Sequence, residues 1–133
     1  MRDLLRTLIA ALTPQGVTLD DLLPGLGAVI ERYPDNTLVR PLDPRVSEIN
    51  VTRRYRSDQV SHVDLVLLEP LPLAELESAF GPYTVAVPDH PGQPNQAIFF
   101  VRQPSQPSDV ALIATLDPAG AKATVLTLRP DPH

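Results

Sequence analysis

The chain of 133 residues has no cysteine, no tryptophan and only one lysine. Without cysteine it cannot form disulfides, use a thiolate in catalysis, or hold a zinc or iron–sulfur centre through sulfur ligands. Its formal net charge of −5 argues against DNA or RNA as the main partner, because phosphate binding needs a basic surface. These absences exclude several classes of enzyme. We therefore expect neither a cofactor nor a bound metal ion.

The sequence also lacks a long apolar run. Residues 1–12 are mostly apolar, but Asp3 and Arg6 interrupt them, whereas a signal peptide needs a continuous apolar stretch after its basic start. No segment comes near the roughly 20 apolar residues that span a bilayer. We therefore expect a cytoplasmic protein that does not associate with membranes.

The length and composition favour a single folded domain over residues 1–133. Hydrophobic residues make up 43% of the chain and charged residues 20%, a balance typical of globular proteins. A chain of this length can withdraw roughly two thirds of its surface from water, which is enough for one core. The 16 prolines fall between apolar runs and therefore separate secondary-structure elements.

Three segments have the apolar spacing of amphipathic helices. Residues 2–12 carry one apolar stripe, and Thr18 with Asp21 resembles a capping box that opens a second helix. Together these two segments predict an N-terminal helical region over residues 2–33. Residues 72–80 form the third helix, which starts with a proline and ends before a Gly-Pro pair.

The remaining apolar runs alternate with polar residues, as β-strands do. They form a first strand set over residues 38–69 and a second over residues 83–129. In the first set, residues 46–56 and 60–69 pair as an antiparallel hairpin. The fold class that follows is α+β, with the helices packed on one face of a mostly antiparallel sheet. Residues 131–133 are expected to fray at the end of the chain.

The order of a helix followed by antiparallel strands occurs twice along the chain, which suggests a tandem helix-plus-strands repeat. The helix of the second half ends at residues 76–82, Leu-Glu-Ser-Ala-Phe-Gly-Pro, and leads directly into a strand. In this order and this motif, residues 19–129 resemble the helix-plus-sheet repeats of the beta-lactamase-inhibitor-protein-like family. The resemblance implies a binding or envelope-assembly module rather than a catalyst.

Two other families resemble the chain in size and element order. Type III secretion chaperones are similar in acidity and in their order of helix, strands, helix and strands, and this implies a homodimer that holds a segment of another protein. The cone-shaped α+β fold of ketosteroid-isomerase-like proteins also has early helices, a hairpin, a helix and four late strands. That resemblance implies a pocket inside a curved sheet.

Catalytic candidates are few, since the chain has three histidines. His62 and Asp64 lie two residues apart in a predicted strand, so their side chains share one face, where the carboxylate can orient the imidazole for acid–base chemistry. Asp89 and His90 lie in a proline-rich loop and form the other candidate pair. A solvated strand face and a polar loop are the simpler explanations, and no metal-binding spacing surrounds either pair.

Arg54, Tyr55 and Arg56 form the strongest local charge feature. In a strand over residues 46–56, Arg54 and Arg56 share a face and can bind a carboxylate or a phosphate through two hydrogen bonds, while Tyr55 offers a stacking surface to a protein partner. The alternative is a solvated strand whose charges prevent edge-to-edge aggregation. Arg53 points towards the apolar face in the same alternation, so either it snorkels or the strand register breaks there.

Phe99 and Phe100 are adjacent, so they point to opposite faces of a strand, and residues 110–116 are apolar on both faces. A helix, a second sheet or a partner must therefore cover the second face. The leading interpretation is a non-enzymatic protein-interaction module that binds a protein partner or forms a homodimer. The alternative is a small-molecule-binding or isomerase-like enzyme with a pocket in a curved sheet, in which one of the histidine–aspartate pairs carries the chemistry.

Overall fold

Two short helices open the chain in the computed structural model, which describes residues 1–132. Helix α1 spans Arg2–Leu12 and buries the apolar stripe predicted from its sequence. Helix α2 spans Leu19–Leu26, and its capping box is confirmed, because the Thr18 N–H donates a hydrogen bond of 2.9 Å to Asp21 Oδ2. No helix within the described residues is long and apolar enough to cross a membrane.

Helix α2 ends earlier than the sequence predicts. The predicted helical region continues to residue 33, but strand β1 begins directly after the helix and spans Gly27–Arg32. Gly27 has a φ of 148°, and a Cβ built there would lie 1.8 Å from the Arg40 carbonyl oxygen. The prediction was wrong because the apolar spacing through Ile30 fits a helix, whereas close contact between backbones requires an extended chain at the glycine.

Seven more strands and one helix follow. Strands β2 (Asn36–Pro41), β3 (Val46–Arg53) and β4 (Val60–Pro72) precede helix α3 (Leu73–Phe80), and strands β5 (Thr84–Ala86), β6 (Gln96–Val101), β7 (Ser108–Leu116) and β8 (Lys122–Pro132) come after it. The two strand sets therefore cover residues 27–72 and 84–132, in place of the predicted 38–69 and 83–129. The predicted helix over 72–80 starts one residue later, since Pro72 is its N-cap with an extended ψ of 131°.

Strand ends differ from the prediction in two further places. Strand β3 stops at Arg53 and the chain turns there, so the predicted strand does not reach residue 56. Strand β8 continues through Pro132, and Asp131 pairs with Asp109 of β7, so these two C-terminal residues are held in the sheet rather than frayed. The third residue of that predicted frayed end, His133, lies outside the described residues.

All eight strands form one antiparallel sheet with the order β1-β2-β3-β4-β8-β7-β6-β5. This confirms the predicted α+β fold with a mostly antiparallel sheet. The same order of elements, one helix and then a four-stranded meander, occurs in α2–β4 and again in α3–β8. The two meanders join where β4 pairs with β8 at the centre of the sheet.

One face of the sheet and the three helices enclose the hydrophobic core. In β4, Val63 and Leu65 point into this core, and their partners Leu128 and Leu126 in β8 do the same. Alternate residues of the same strands point the other way. The three helices pack on the core side, and we call the other side of the sheet the open face.

Candidate functional site

The open face carries one outward side chain at every second position of the eight strands. Residues that pair across antiparallel strands point to the same side, so the strand register identifies them. One continuous row crosses the sheet from β1 to β5 and comprises Glu31, Leu38, Asn50, Asp64, Thr127, Ile113, Ile98 and Thr84. The charged and amide side chains of the row lie in the first meander, and the second meander contributes two threonines and two isoleucines.

The polar half of the open face contains the predicted pair of His62 and Asp64. His62 Nε2 lies 3.5 Å from Asp64 Oδ2, and the Thr127 hydroxyl donates a hydrogen bond of 2.5 Å to Asp64 Oδ1. On the other side of the ring, Ser61 Oγ lies 3.2 Å from His62 Nδ1. The sequence therefore identified two members of a four-residue cluster.

A β-bulge explains why Ser61 belongs to this cluster. Thr52 pairs with His62 while Arg53 pairs with Val60, so Ser61 is an extra residue on the β4 side. A bulge of this kind turns two neighbouring side chains towards one face. Sequence alternation places Ser61 on the opposite face, and Thr127 is distant in sequence, so neither residue carried a signal that could have revealed it.

The cluster has the contacts of an acid–base site but not the enclosure of one. The side chains of His62 and Asp64 are 32% and 28% exposed, respectively. Neither residue lines any of the clefts described below. Among the described residues, no group of three or more histidine, aspartate or glutamate side chains could hold a metal ion.

The apolar half of the open face forms a strip across β4, β8, β7 and β6. We call this set the apolar strip, and its members are Val66, Val125, Ala111, Ile113, Ile98 and Phe100. The first two pair with each other, and Ile113 pairs with Ile98. Phe100 stands at one end with 55% of its surface exposed. Val66, Val125, Ile113 and Ile98 are half-buried, and Ala111 is fully buried. The strip lies on the side of the sheet away from the core.

The arginine motif does not lie on a strand face. Arg54, Tyr55 and Arg56 form the turn after β3, where the Arg54 N–H donates to the Gln59 carbonyl oxygen. The prediction that Arg54 and Arg56 share a strand face was wrong, because the bulge ends the strand before them. Arg56 has a φ of 52° and its guanidinium carbon lies 5.1 Å from the centre of the Tyr55 ring. Tyr55 as a whole residue is 79% exposed.

Arg53, just before the turn, is used structurally. The strand register shifts between Thr52 and Arg53. A register break was one of the two explanations that the sequence offered for Arg53. Arg53 Nη2 donates hydrogen bonds to the carbonyl oxygens of Tyr33 and Pro34 at 2.7 and 3.1 Å. It therefore ties β3 to the turn between β1 and β2.

Asp89 and His90 lie in the loop between β5 and β6, and both are exposed. That loop is at the edge of the sheet, separated from β4 by β8, β7 and β6. The structure therefore does not bring the two predicted histidine–aspartate pairs together.

Two clefts lie beside the start of α1. The larger has a volume of about 440 Å³ between α1 and α3, and the smaller, of about 350 Å³, extends towards the turn between β2 and β3. Met1 and Leu71 line both clefts. Arg6 holds α1 against the end of α3, because its guanidinium donates a hydrogen bond to the Ala79 carbonyl oxygen and stacks over the Phe80 ring. These clefts are mostly apolar and lack the histidine and aspartate pairs.

Two carboxylates have lowered pKa values, and both are structural. Backbone and hydroxyl hydrogen bonds from Thr18 lower the pKa of Asp21 at the start of α2. Backbone N–H groups, chiefly those of Ala121 and Lys122, lower the pKa of Asp117 in the turn between β7 and β8. Neither belongs to the polar cluster, so these shifts mark a helix cap and a turn.

Comparison with known proteins found no matching family model, no matching curated protein and no matching solved structure.

Proposed function

We propose that the protein is a non-enzymatic interaction module that docks a protein partner on the open face of its sheet. The observation that carries this proposal is the apolar strip, in which Phe100 is mostly exposed and Ile98 and Ile113 are half-buried on the side of the sheet away from the core. Exposed apolar patches on a soluble domain mark interaction sites, because their burial is favourable only when another molecule covers them.

The size of the open face supports a protein as the ligand. Strands lie about 4.8 Å apart and outward residues repeat about every 6.8 Å, so each outward side chain occupies about 33 Å². Roughly two dozen such residues then present about 750 Å², close to the ~800 Å² that each partner contributes to a standard interface. A small molecule, in contrast, needs a concave pocket that encloses it.

The arrangement of polarity also suits a docking surface. Typical interfaces have an apolar centre and a polar rim with arginine and tyrosine among the contacts. Here the polar cluster around Asp64 lies beside the apolar strip. Arg54, Tyr55 and Arg56 at the turn after β3 are proposed as a second set of partner contacts. Arg54 lines a cleft beside the end of α1, so this set lies apart from the apolar strip.

Photo-cross-linking in living cells tests this proposal. p-Benzoylphenylalanine replaces Phe100 in one version of the full chain and Ser78, on the exposed side of α3, in a control. We expect a discrete protein adduct from position 100 that is lost when Ile98→Glu is added and kept when Ile30→Glu is added. Ile30 is an exposed residue in the β1 bulge, so it controls for the added charge. Equal adducts from positions 100 and 78, or none from position 100, contradict the proposal.

Acid–base chemistry at His62 is a second candidate, favoured by the contacts of its two ring nitrogens. If the Ser61 hydroxyl donates to Nδ1 and the Nε2–H donates to Asp64, the serine oxygen gains nucleophilic character and the imidazole takes its proton. The test is hydrolysis of p-nitrophenyl acetate. Chemistry at the cluster requires a rate well above that of equimolar free imidazole, abolished in both His62→Gln and Ser61→Ala. A rate unchanged in these variants rejects it.

A further inference from the structure

The sheet has two edge strands, β1 and β5, and the outer side of each lacks a neighbouring strand. Unpaired N–H and carbonyl groups at such an edge attract another strand, so natural proteins protect edges with bulges, charged side chains or short strands. The protection differs between β1 and β5, and the difference points to β5 as a binding site.

Strand β5 directs the backbone groups of Val85 away from the sheet. The Leu116 N–H donates to the Asn95 carbonyl oxygen, so Asn95 and every second residue after it bond to β7. The intervening residues of β6 bond to Thr84 and Ala86 of β5. Because bonding alternates from side to side along a strand, the N–H and carbonyl groups of Val85 point outwards from the edge.

The same alternation directs the backbone groups of Tyr83 and Val87 outwards. No hydrogen bond within residues 1–132 involves the N–H or carbonyl groups of Tyr83, Val85 or Val87. Outward groups along a strand repeat about every 6.8 Å. An added β-strand presents donors and acceptors at this same spacing, so the free groups of the β5 edge suit an extended peptide backbone.

Apolar side chains accompany these free backbone groups. Val85 pairs with Ala97, which is buried in the core, so Val85 and Val87 lie on the helix side of the sheet. The two valines are nevertheless 50% and 74% exposed. Residues of an added strand that point to this side would cover both valines, so we expect those residues to be apolar.

The opposite edge of the sheet is protected. The register of β1 against β2 shifts between Val29 and Glu31, which leaves Ile30 as an extra residue. The strand then ends with two charged residues, Glu31 and Arg32. A bulge and charged side chains both interfere with regular pairing. Residues 83–87 have neither, because β5 pairs with β6 without a register shift and the five residues are uncharged.

We propose that the edge of β5 binds an extended segment of another protein, which joins the sheet as a ninth strand. The segment pairs with residues 83–87 through its backbone, and its side chains on the helix side are apolar. The contact uses the backbone of the edge rather than the apolar strip. The proposal therefore goes beyond the docking function and does not depend on it.

The short length of β5 favours a flexible segment over a second copy of this chain. Five residues of a strand extend about 17 Å and a sheet layer is about 10 Å thick, so the edge presents about 170 Å². Two folded copies joined along this edge alone would bury about 340 Å² in total, far below the ~1,200 Å² of a specific interface. An extended segment binds mainly through main-chain hydrogen bonds, so it needs less area.

Photo-cross-linking at the two edges of the sheet tests the proposal in living cells. p-Benzoylphenylalanine replaces Val87 in one version of the full chain and Ile30, exposed at the protected edge, in the matched control. We expect a discrete adduct with another protein from position 87 and none from position 30. Equal adducts from both positions, no adduct from position 87, or an adduct with twice the mass of the chain overturns the proposal.

Substitution of Val85 separates backbone pairing from side-chain contact. Val85→Pro removes the outward N–H but keeps the hydrogen bonds between β5 and β6, because those belong to Thr84 and Ala86. It should lower the yield of the position-87 adduct at least about tenfold, since the partner's carbonyl is left unpaired. Val85→Thr keeps the N–H and should retain most of the adduct. Equal yields from the two variants overturn the proposal.

Amide exchange measures the strand pairing directly in the unmodified protein. A synthetic peptide with the sequence of the cross-linked segment should slow deuterium exchange of the Val85 N–H at least about tenfold. The N–H of Val29 is the matched control, because it points outwards at the β1 edge, three residues after the Leu26 carbonyl that bonds inwards. Unchanged exchange at Val85 overturns the proposal, whether or not the Val85→Pro protein folds.

The edge of β5 and the apolar strip are tested independently by these adducts. An adduct with another protein at position 87 without one at position 100 supports strand addition and overturns docking on the strip. An adduct at position 100 without one at position 87 supports docking on the strip and overturns strand addition.

Discussion

Phe99 and Phe100 are consecutive residues of β6 with opposite environments. Phe99 is fully buried under the helices, and its ring centre lies 5.3 Å from that of Tyr83. Phe100 points to the open face and is 55% exposed. One aromatic ring therefore stabilises the fold, and its neighbour is available for binding.

The two phenylalanines should differ strongly in their effect on stability. Phe99→Ala leaves a cavity in the core and should lower the free energy of unfolding by about 3–5 kcal/mol. Phe100→Ala removes a largely exposed ring and should change it by less than about 1 kcal/mol. Urea denaturation of dilute, monomeric samples measures both values. Similar losses in the two variants would mean that Phe100 is also part of a core.

The two glycines at the end of α2 provide a second comparison. Gly27→Ala should destabilise the protein by more than about 2 kcal/mol, because a Cβ at a φ of 148° would lie 1.8 Å from the Arg40 carbonyl oxygen. Gly25, inside α2, has nothing within 4 Å of a built Cβ. Gly25→Ala should therefore stabilise the protein by about 0.5–1 kcal/mol. Thermal unfolding of the two variants shows which is more stable. A Gly27→Ala protein as stable as wild type would argue against the close approach of residue 27 to the Arg40 carbonyl oxygen.

The turn between β7 and β8 should make stability depend on pH. Hydrogen bonds from backbone N–H groups lower the pKa of Asp117 below its ordinary value of 3.8 in the folded state. Its carboxylate thus stabilises the fold fully above that value, and the stabilisation disappears as the pH falls through the folded-state pKa. The difference in unfolding free energy between wild type and Asp117→Asn should be constant above about pH 5 and should shrink at lower pH.

Denaturation curves between pH 7 and pH 2 measure this difference, with Asp3→Asn as a control, since Asp3 is an exposed carboxyl in the first turn of α1. A difference between wild type and Asp117→Asn that stays constant throughout this range would exclude the carboxylate as the group that holds the turn.

The turn at Arg56 contains a backbone conformation that favours glycine. Arg56 has a φ of 52°, whereas other residues outside glycine have negative φ values in the described chain. Arg56→Gly should therefore raise the free energy of unfolding by up to about 1 kcal/mol, and Arg56→Ala should not. Chemical denaturation measures the free energy of unfolding of the Arg56→Gly and Arg56→Ala variants.

Exposed arginine contacts contribute little to an interface compared with its apolar centre. Arg54→Ala combined with Arg56→Ala should lower the yield of the position-100 adduct by less than about fivefold, as exposed ion pairs contribute at most about 1 kcal/mol. Ile98→Glu should abolish it. Complete loss of the adduct in the double arginine variant would place the main contact at the turn instead.

Local patterns were sufficient for most helices and strands. The capping pair of Thr18 and Asp21 acts within one turn, and the buried stripe of α1 repeats with the helical period, so both could be read from neighbouring residues. The shared face of His62 and Asp64 follows from the two-residue period of a strand in the same way.

Three features could not be read locally, because each depends on a distant residue. Helix α2 ends at Leu26 because Gly27 meets the Arg40 backbone, not because the apolar spacing changes. The bulge at Ser61 depends on the register with β3 and ends the strand before the arginine motif. Thr127 reaches Asp64 only because β8 lies beside β4.

The sequence by itself determined most of the helices and strands and which side of each element is apolar, since those properties follow from neighbouring side chains and the period of the backbone. It did not determine that residues 27–32 form a strand, because that depends on the contact with the Arg40 backbone. Only the tertiary structure decided that β4 pairs with β8, and this pairing places all three helices on one face and leaves the apolar strip on the other. Strand order depends on how the two meanders bury their apolar sides together, which is a property of the whole chain.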